Sequence, residues 1–334
     1  MRDNDKLKKA YGSLIGVAIG DAMGMPVELW PQQKIKDHFG KITDFISPPK
    51  SNEITGGLEA GEVTDDTYLT LILSDIIIKN NGKIIPEKVI TGIVNWVEEH
   101  KEISEQIIGP STSKAYENYK SGMAITETGK WGTTNGASMK IAPVGIISSI
   151  NNLEQLVDNV RLACLATHNT GIAISGAAAI AAAVSYGVSG GEKLEELIEI
   201  AKKASIIGRK KGFKTSGASI VRRIELGVDI VQNKKDEEEV LAEIYNLLGS
   251  SVMTTESIPA AIALVYLAEG DLVKCVKLAA NLGGDTDTIA ALGGAICGAF
   301  KGVDNIPKKY IAKIKEVNEI DVASRAKKLL SYRN

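Results

Sequence analysis

Apolar side chains recur every three to four positions along almost the whole chain, the spacing that lines them up on one face of an α-helix. On that pattern helices are predicted over residues 6–23, 67–79, 86–101, 137–149, 153–166, 171–186, 192–211, 216–232, 236–248, 256–268, 272–282, 288–300 and 322–330. Pro86 opens one of them at a first-turn position, where its missing N–H costs nothing. Period-two alternation is scarce, and residues 42–46 are the only strand-like run. This is the pattern of an all-α protein. Gly12, Gly16 and Gly20 lie four apart in the first helix, and Gly294 and Gly298 repeat the spacing in a late one. Such stripes leave a smooth face on which another helix can lie closely. One polar stretch, residues 31–63, interrupts the series and contains SPPKSNEITGGLEAGE. A connection this long is either a plain surface excursion or a functional lid, and the acidic motifs beside it favour a lid.

Composition narrows the class. Hydrophobic residues make up 44% of the 334 positions and aromatic ones only 5%, while the mean hydropathy is +0.01. These values describe a soluble globular chain whose core is built from aliphatic and small side chains. Lys+Arg 39 against Asp+Glu 41 gives a net charge of −2. No broad basic field is available to hold nucleic acid or an anionic membrane, so neither is expected as a partner. Cys164, Cys275 and Cys297 form no CxxC pair and leave one over after any pairing. That argues against a disulfide framework or a thiolate zinc site and for a reducing, cytoplasmic location. The opening MRDNDKLKKAYG lacks the apolar segment of a signal peptide. Residues 171–188 are apolar but dominated by Ala and Gly, which suits a tightly packed interior helix better than a lipid-facing span. The run KKDEEE at 234–239 reads as a solvated helix start.

Two acidic clusters carry the candidate chemistry. Thr64-Asp65-Asp66-Thr67 precedes one apolar helix, and Gly283-Gly284-Asp285-Thr286-Asp287-Thr288 precedes another. Either cluster alone is explained by helix capping, because Asp and Thr are good N-caps and carboxylates suit the positive end of a helix dipole. A cap needs one side chain, however, and each cluster supplies two carboxylates and two hydroxyls. If the two helix starts converge, four carboxylates share one site, each close pair repelling by about 4 kcal/mol at an effective dielectric near 20. Two divalent cations would cancel that charge. The donors are hard oxygens suited to Mg²⁺, Mn²⁺ or Ca²⁺, and neither cluster holds the His or Cys that zinc prefers. Three further segments stand out: GDAMGMPVE at 20–28, which leaves Glu28 at the root of the long loop; GTTNGASMK at 132–140, a turn opening a helix and able to cradle phosphate or ribose; and Thr167-His168, where a lone His is as readily structural as functional.

Together the segments GDAMGMPVE (20–28), TDDT (64–67), NGASMKIAPVG (135–145), TH (167–168) and GGDTDTIAALGGAICGA (283–299) resemble the ADP-ribosylglycohydrolase family, in the family's order. The resemblance implies a compact orthogonal bundle of helices binding two Mg²⁺ or Mn²⁺ ions. It implies metal ligation by Thr64, Asp65 and Asp66 from one helix start and by Asp285, Asp287 and Thr288 from the other. Glu28 matches a catalytic glutamate on a mobile flap, and Asn135, Gly136, Ser138 and His168 match positions that contact ADP-ribose. Lys140 stands where many members have Arg, which keeps the charge but removes the bidentate fork. Because 20–28 and 285–288 would share one site, a single domain over 1–334 is expected, with its core at about residues 8–302. The implied activity is hydrolysis at the anomeric carbon of ADP-ribose, releasing it from a modified protein side chain. The alternatives are hydrolysis of another ADP-ribosyl compound, such as an O-acyl ester, and a non-catalytic binding protein on the same fold. The implied partner is therefore an ADP-ribosylated protein or a small ADP-ribosyl compound; the oligomeric state is not indicated.

Overall fold

The computed structural model describes residues 2–100, 109–233 and 236–333. Among these the protein is helical, with three isolated bridges and no strand. The helices are α1 (Asp3–Gly24), α2 (Gln32–Phe39), α3 (Asp65–Lys79), α4 (Pro86–Glu99), α5 (Pro110–Lys120), α6 (Ile125–Thr128), α7 (Ala142–Ile147), α8 (Leu153–Cys164) and α9 (Gly171–Val188). They continue with α10 (Leu194–Arg209), α11 (Ile220–Asn233), α12 (Glu237–Glu243), α13 (Thr254–Leu267), α14 (Leu272–Ala280), α15 (Thr286–Lys301), α16 (Lys308–Asn318) and α17 (Val322–Leu330).

The centre of the molecule is the pair α1 and α15. Every residue from Gly12 to Gly24 of α1 is buried, as is α15 from Thr286 to Phe300. The small-residue stripes explain how two such helices come together. A Cβ placed at Gly12, Gly16, Gly20 or Gly24 would lie 2.3, 2.2, 2.1 or 2.2 Å from the carbonyl oxygen of Gly298, Gly294, Ala290 or Thr286. The two backbones are therefore in direct contact and run antiparallel. The end of α1 meets the start of α15, which is what sets residues of the GDAMGMPVE and GGDTDT segments side by side. Helix α9, with 18 residues all buried, packs behind this pair and also against α10. It and the segment Asp3–Val27 have the length and hydropathy of a membrane span, and their apolar stretches are 100% and 94% buried in the protein interior. The three cysteines are buried free thiols.

Several elements differ from those the periodicity predicts. Residues 32–39 form α2 inside the supposed loop; its sequence QQKIKDHF buries only Ile35, so it has no apolar stripe to read. Helices α5, α6 and α16 are likewise absent from the prediction, since few of their residues face the core. The single helix expected over 137–149 is a 3₁₀ turn, Asn135–Ala137, followed by the shorter α7. The helix expected over 236–248 ends early in a π turn, Ile244–Leu248. Residues 42–46 are irregular and form no strand. Lys101, Lys234 and Lys235, which belong to predicted segments, lie outside the described residues.

Candidate metal and active site

The start of α3 is organised by a side chain from another helix. Asp21, near the end of α1, is fully buried in an otherwise apolar run and cannot stay so without donors. It accepts from the Thr64 N–H at 2.9 Å, the Thr64 hydroxyl at 2.7 Å, the Thr67 N–H at 3.1 Å and the Thr67 hydroxyl at 2.5 Å. Asp21 thus supplies the N-terminal capping of α3 from 43 positions away. Thr64 makes no side-chain cap of its own, and Asp285 does not cap α15. The carboxylates of both clusters are thus not spent on capping by the N-cap residues of α3 and α15. This decides against the capping explanation.

The freed carboxylates converge. Glu28, Asp65, Asp66, Asp285, Asp287 and Thr288 line one cavity, together with Pro110 and Thr112 of α5, Thr134, Asn135, Gly136 and Val252. About 40 Å³ of that space admits the centre of a water molecule, enough for a few waters or ions. One oxygen each from Glu28, Asp285 and Asp287 lie within 4.8 Å of one another. The Thr288 hydroxyl, on α15, donates to Asp66 Oδ2 at 3.1 Å and joins the second helix start to the first. The loop that delivers Asp285 needs two left-handed glycines, Gly283 at φ +86° and Gly284 at φ +80°. Gly284 exchanges hydrogen bonds with the Glu28 side of the cavity: its carbonyl accepts from Leu29 N–H at 2.8 Å and its N–H donates to Trp30 O at 2.9 Å.

Crowding of like charges out of water governs the electrostatics. Burial, then the neighbouring carboxylates, raise Asp65, Asp66, Asp287 and Glu28 well above the usual carboxyl range. Burial also pushes Asp285 up, to about 6, although hydrogen bonds from Asn135, Asp287 and Thr288 oppose it. Buried Asp66 Oδ1 and Asp287 Oδ1 have no hydrogen-bond partner. Unpartnered carboxylate oxygens in such a cluster are what divalent cations satisfy, and an all-oxygen donor set fits a hard ion. The acidic cluster is thus able to hold metal.

The residues expected to contact a substrate divide into two groups. Asn135 and Gly136 line the cavity. The Asn135 amide is already engaged, donating to Asp285 Oδ2 and, at 3.0 Å, to Ser257 Oγ, so it steadies a cluster carboxylate. Ser138 and His168 are not among the lining residues, and neither is Thr64, which was expected as a metal ligand. Ser138 is buried with an unpartnered hydroxyl. His168 lies behind Gly136, where a Cβ on the glycine would be 2.9 Å from the imidazole Cε1. Its ring bonds Thr134 Oγ1 at 3.1 Å and Thr167 Oγ1 at 2.9 Å, and burial followed by the Lys140 charge lowers its pKa well below the usual value. A neutral, buried imidazole of this kind braces the Thr134–Gly136 wall. Lys140 Nζ donates to the Gly136 carbonyl on the same wall. A single acceptor makes no use of a planar fork, so a lysine suffices at this position.

Sequence reasoning missed Asp21 as a site residue, along with Pro110, Thr112 and Val252. Asp21 had a readable signal: one carboxylate inside an apolar, glycine-striped helix has to be paired. Pro110 and Thr112 sit in the first turn of α5, a helix with no apolar stripe, and Val252 in a loop, so none of them carries such a signal.

The sequence profile of the family described as ADP-ribosylglycohydrolase matches residues 2–333. The chain belongs to this family. It is 37% identical over 328 residues to the uncharacterized protein YegU of Escherichia coli, covering 98% of each chain. It is 27% identical to the ADP-ribosylarginine hydrolase Tri1 of Serratia proteamaculans, covering 95% of this chain and 78% of the relative. Among solved structures, an ADP-ribosylglycohydrolase-related protein complex superposes with a TM-score of 0.73 at 22% identity, over 99% of this chain and 100% of that one. That likeness establishes the all-α fold of the ADP-ribosylglycohydrolases.

Proposed function

We propose that the protein is a metal-dependent hydrolase that breaks the bond at the anomeric carbon of ADP-ribose, releasing ADP-ribose from a modified side chain. The observation that carries this reading is the convergence of Glu28, Asp65, Asp66, Asp285 and Asp287 on one cavity with two buried oxygens unpartnered. Family membership supplies the substrate class. Asp65, Asp66, Asp285 and Asp287, with the Thr288 hydroxyl, would hold two Mg²⁺ or Mn²⁺ ions, whereas the Thr64 hydroxyl is taken up by Asp21 outside the cavity lining. When bound, such ions neutralise the cluster, orient water and clamp ribose oxygens.

The remaining work belongs to the chain's own residues. Of the five cavity residues that carry a carboxyl, Glu28 alone is not fully buried, which makes it the one nearest to proton exchange with solvent and the acid–base group of this reading. Hydrolysis joins a water oxygen to the anomeric carbon, breaks the glycosidic bond through an oxocarbenium-like centre and moves one proton from that water toward the departing group. Glu28 handles that proton. The wall formed by Thr112, Thr134 and Gly136, braced by His168 and Lys140, bounds the side on which the ADP-ribose moiety is received.

The test is release of ADP-ribose from a panel of arginine-, serine- and acyl-linked substrates with and without Mg²⁺ or Mn²⁺. Release from one linkage, abolished by chelation and restored by metal, is expected. No release from any linkage by metal-loaded protein, or full activity in excess chelator after verified metal removal, would overturn the reading.

A further inference from the structure

The segment that carries Glu28 is held from two sides. On the side of the metal-binding cluster it is stitched to Gly284, as described above. On the opposite side lie the carbonyls of Met25, Pro26 and Glu28, which follow the end of α1; Met25 O also accepts from Glu28 N–H at 3.3 Å in a single 3₁₀ turn, Met25–Val27. They are met by two side chains from the long connection. Thr55 Oγ1 donates to Met25 O at 2.9 Å, and Asn52 Nδ2 donates to Pro26 O at 3.3 Å and reaches Glu28 O at 3.5 Å. Asn52 and Thr55 are 4% and 1% exposed, as deeply placed as core residues although they belong to a polar loop.

The turn that presents them is itself organised. Asn52 Oδ1 accepts from Ile54 N–H at 2.9 Å and Thr55 N–H at 3.2 Å, while Asn52 O accepts from Gly56 N–H at 3.0 Å. A Cβ at Gly56 would lie 2.3 Å from that carbonyl, so the tight turn requires glycine there. Between the two attachments Leu29 sits at φ +59° and is half exposed. A branched residue held in the left-handed region persists only where its surroundings fix it. The bonds at Gly284 and at Asn52 and Thr55 do so, and they set the backbone from which the Glu28 side chain departs.

We propose that Asn52 and Thr55 are positioning residues for the Glu28 carboxyl, and that this part of the loop is a strut, not a lid. The proposal rests on the acid–base reading of Glu28. Removing the strut leaves the metal-binding carboxylates and the Thr134–Gly136 wall in place and lets the 28–30 segment wander. Its effect should fall on turnover and spare substrate capture, since misplacement by about 1 Å can cost about 10²-fold in rate.

The experiment compares Thr55→Val, which keeps the shape and removes the donor, with Thr55→Ser, which keeps the donor, each alone and combined with Glu28→Gln. The probe is Mn²⁺-loaded full-length protein acting on ADP-ribosyl-arginine and ADP-ribosyl-serine peptides, with amide hydrogen exchange followed in parallel. Thr55→Val should lower kcat by roughly 10–100-fold with KM unchanged, Thr55→Ser should restore most of it, and Thr55→Val should add nothing in the Glu28→Gln background. Amides of Leu29 and Trp30 should exchange faster in Thr55→Val while those of α15 do not, a readout that needs no turnover. An equal loss of kcat in both backgrounds, or unchanged exchange at residues 29–30, would overturn the proposal. Glu28→Gln with undiminished kcat would instead remove the acid–base reading on which it rests.

Discussion

At the scale of single residues, the site is a set of carboxyl groups kept together against their own repulsion. Asp285 shows the consequence for stability. Its pKa is raised to about 6 from an ordinary value of 3.8, so the metal-free folded protein holds that proton more tightly than the unfolded chain. The stability it contributes is fully present below about pH 4 and is lost as pH rises through about 6. Asp65, Asp66, Asp287 and Glu28 shift in the same direction. The metal-free protein should therefore melt at a lower temperature at pH 8 than at pH 5, and saturating Mg²⁺ or Mn²⁺ should remove most of the difference. Metal at a hundredfold excess over its dissociation constant adds about 2.7 kcal/mol by mass action. Melting curves across pH, with chelator and with metal, check this; a flat or rising profile in chelator would contradict it. The residues at the cluster were legible because a pair of carboxylates exceeds what a helix cap needs. Asp21 was less legible, because its role appears only when its four donors, all on the second motif, are seen around it.

At the scale of elements, the glycine stripe does more than pack two helices. Backbone contact between α1 and α15 is what brings Asp21 and Glu28, at one helix end, against Asp285 and Asp287 at the start of the other. Gly20→Ala would set a Cβ 2.1 Å from the Ala290 carbonyl. The helices must then separate, at a cost of about 1–3 kcal/mol or more for overpacking. The same separation should loosen the cluster, so metal affinity should fall together with stability. Urea unfolding and Mn²⁺ titration of Gly20→Ala measure both; a stable variant with unchanged affinity would show that the close approach does not set the site. Here the sequence was informative where apolar spacing was strong, as in α9, α10 and α17, whose predicted and observed spans agree closely. It failed for α2, which buries one residue, and at residues 137–149, where a helical apolar pattern runs through a 3₁₀ turn. Periodicity reports which face is buried, and it is silent when almost none is, or when nearly every residue from Asn135 to Ser148 is.

At the scale of the whole molecule, two helix starts 222 positions apart meet at one cavity. The hydrogen bond between Thr288 and Asp66 spans that separation, and the same separation lies between Asp65 and Asp287. No local pattern could have supplied it; only the joint order of the motifs and their family resemblance pointed that way. The loop between Glu28 and Asp65 illustrates the converse. Its length and composition suggested a gate, whereas the buried side chains of Asn52 and Thr55 tie its middle to the end of α1. The most direct test of the shared site is calorimetric titration of Mn²⁺ into wild type, Asp65→Asn, Asp287→Asn and the double variant. If both carboxylates bind the same pair of ions, each single change should weaken metal binding severely and the double should be scarcely worse than either, because members of one unit are strongly non-additive. Small losses that add in the double variant within about 0.3–0.5 kcal/mol, as independent sites do, would contradict the shared metal site.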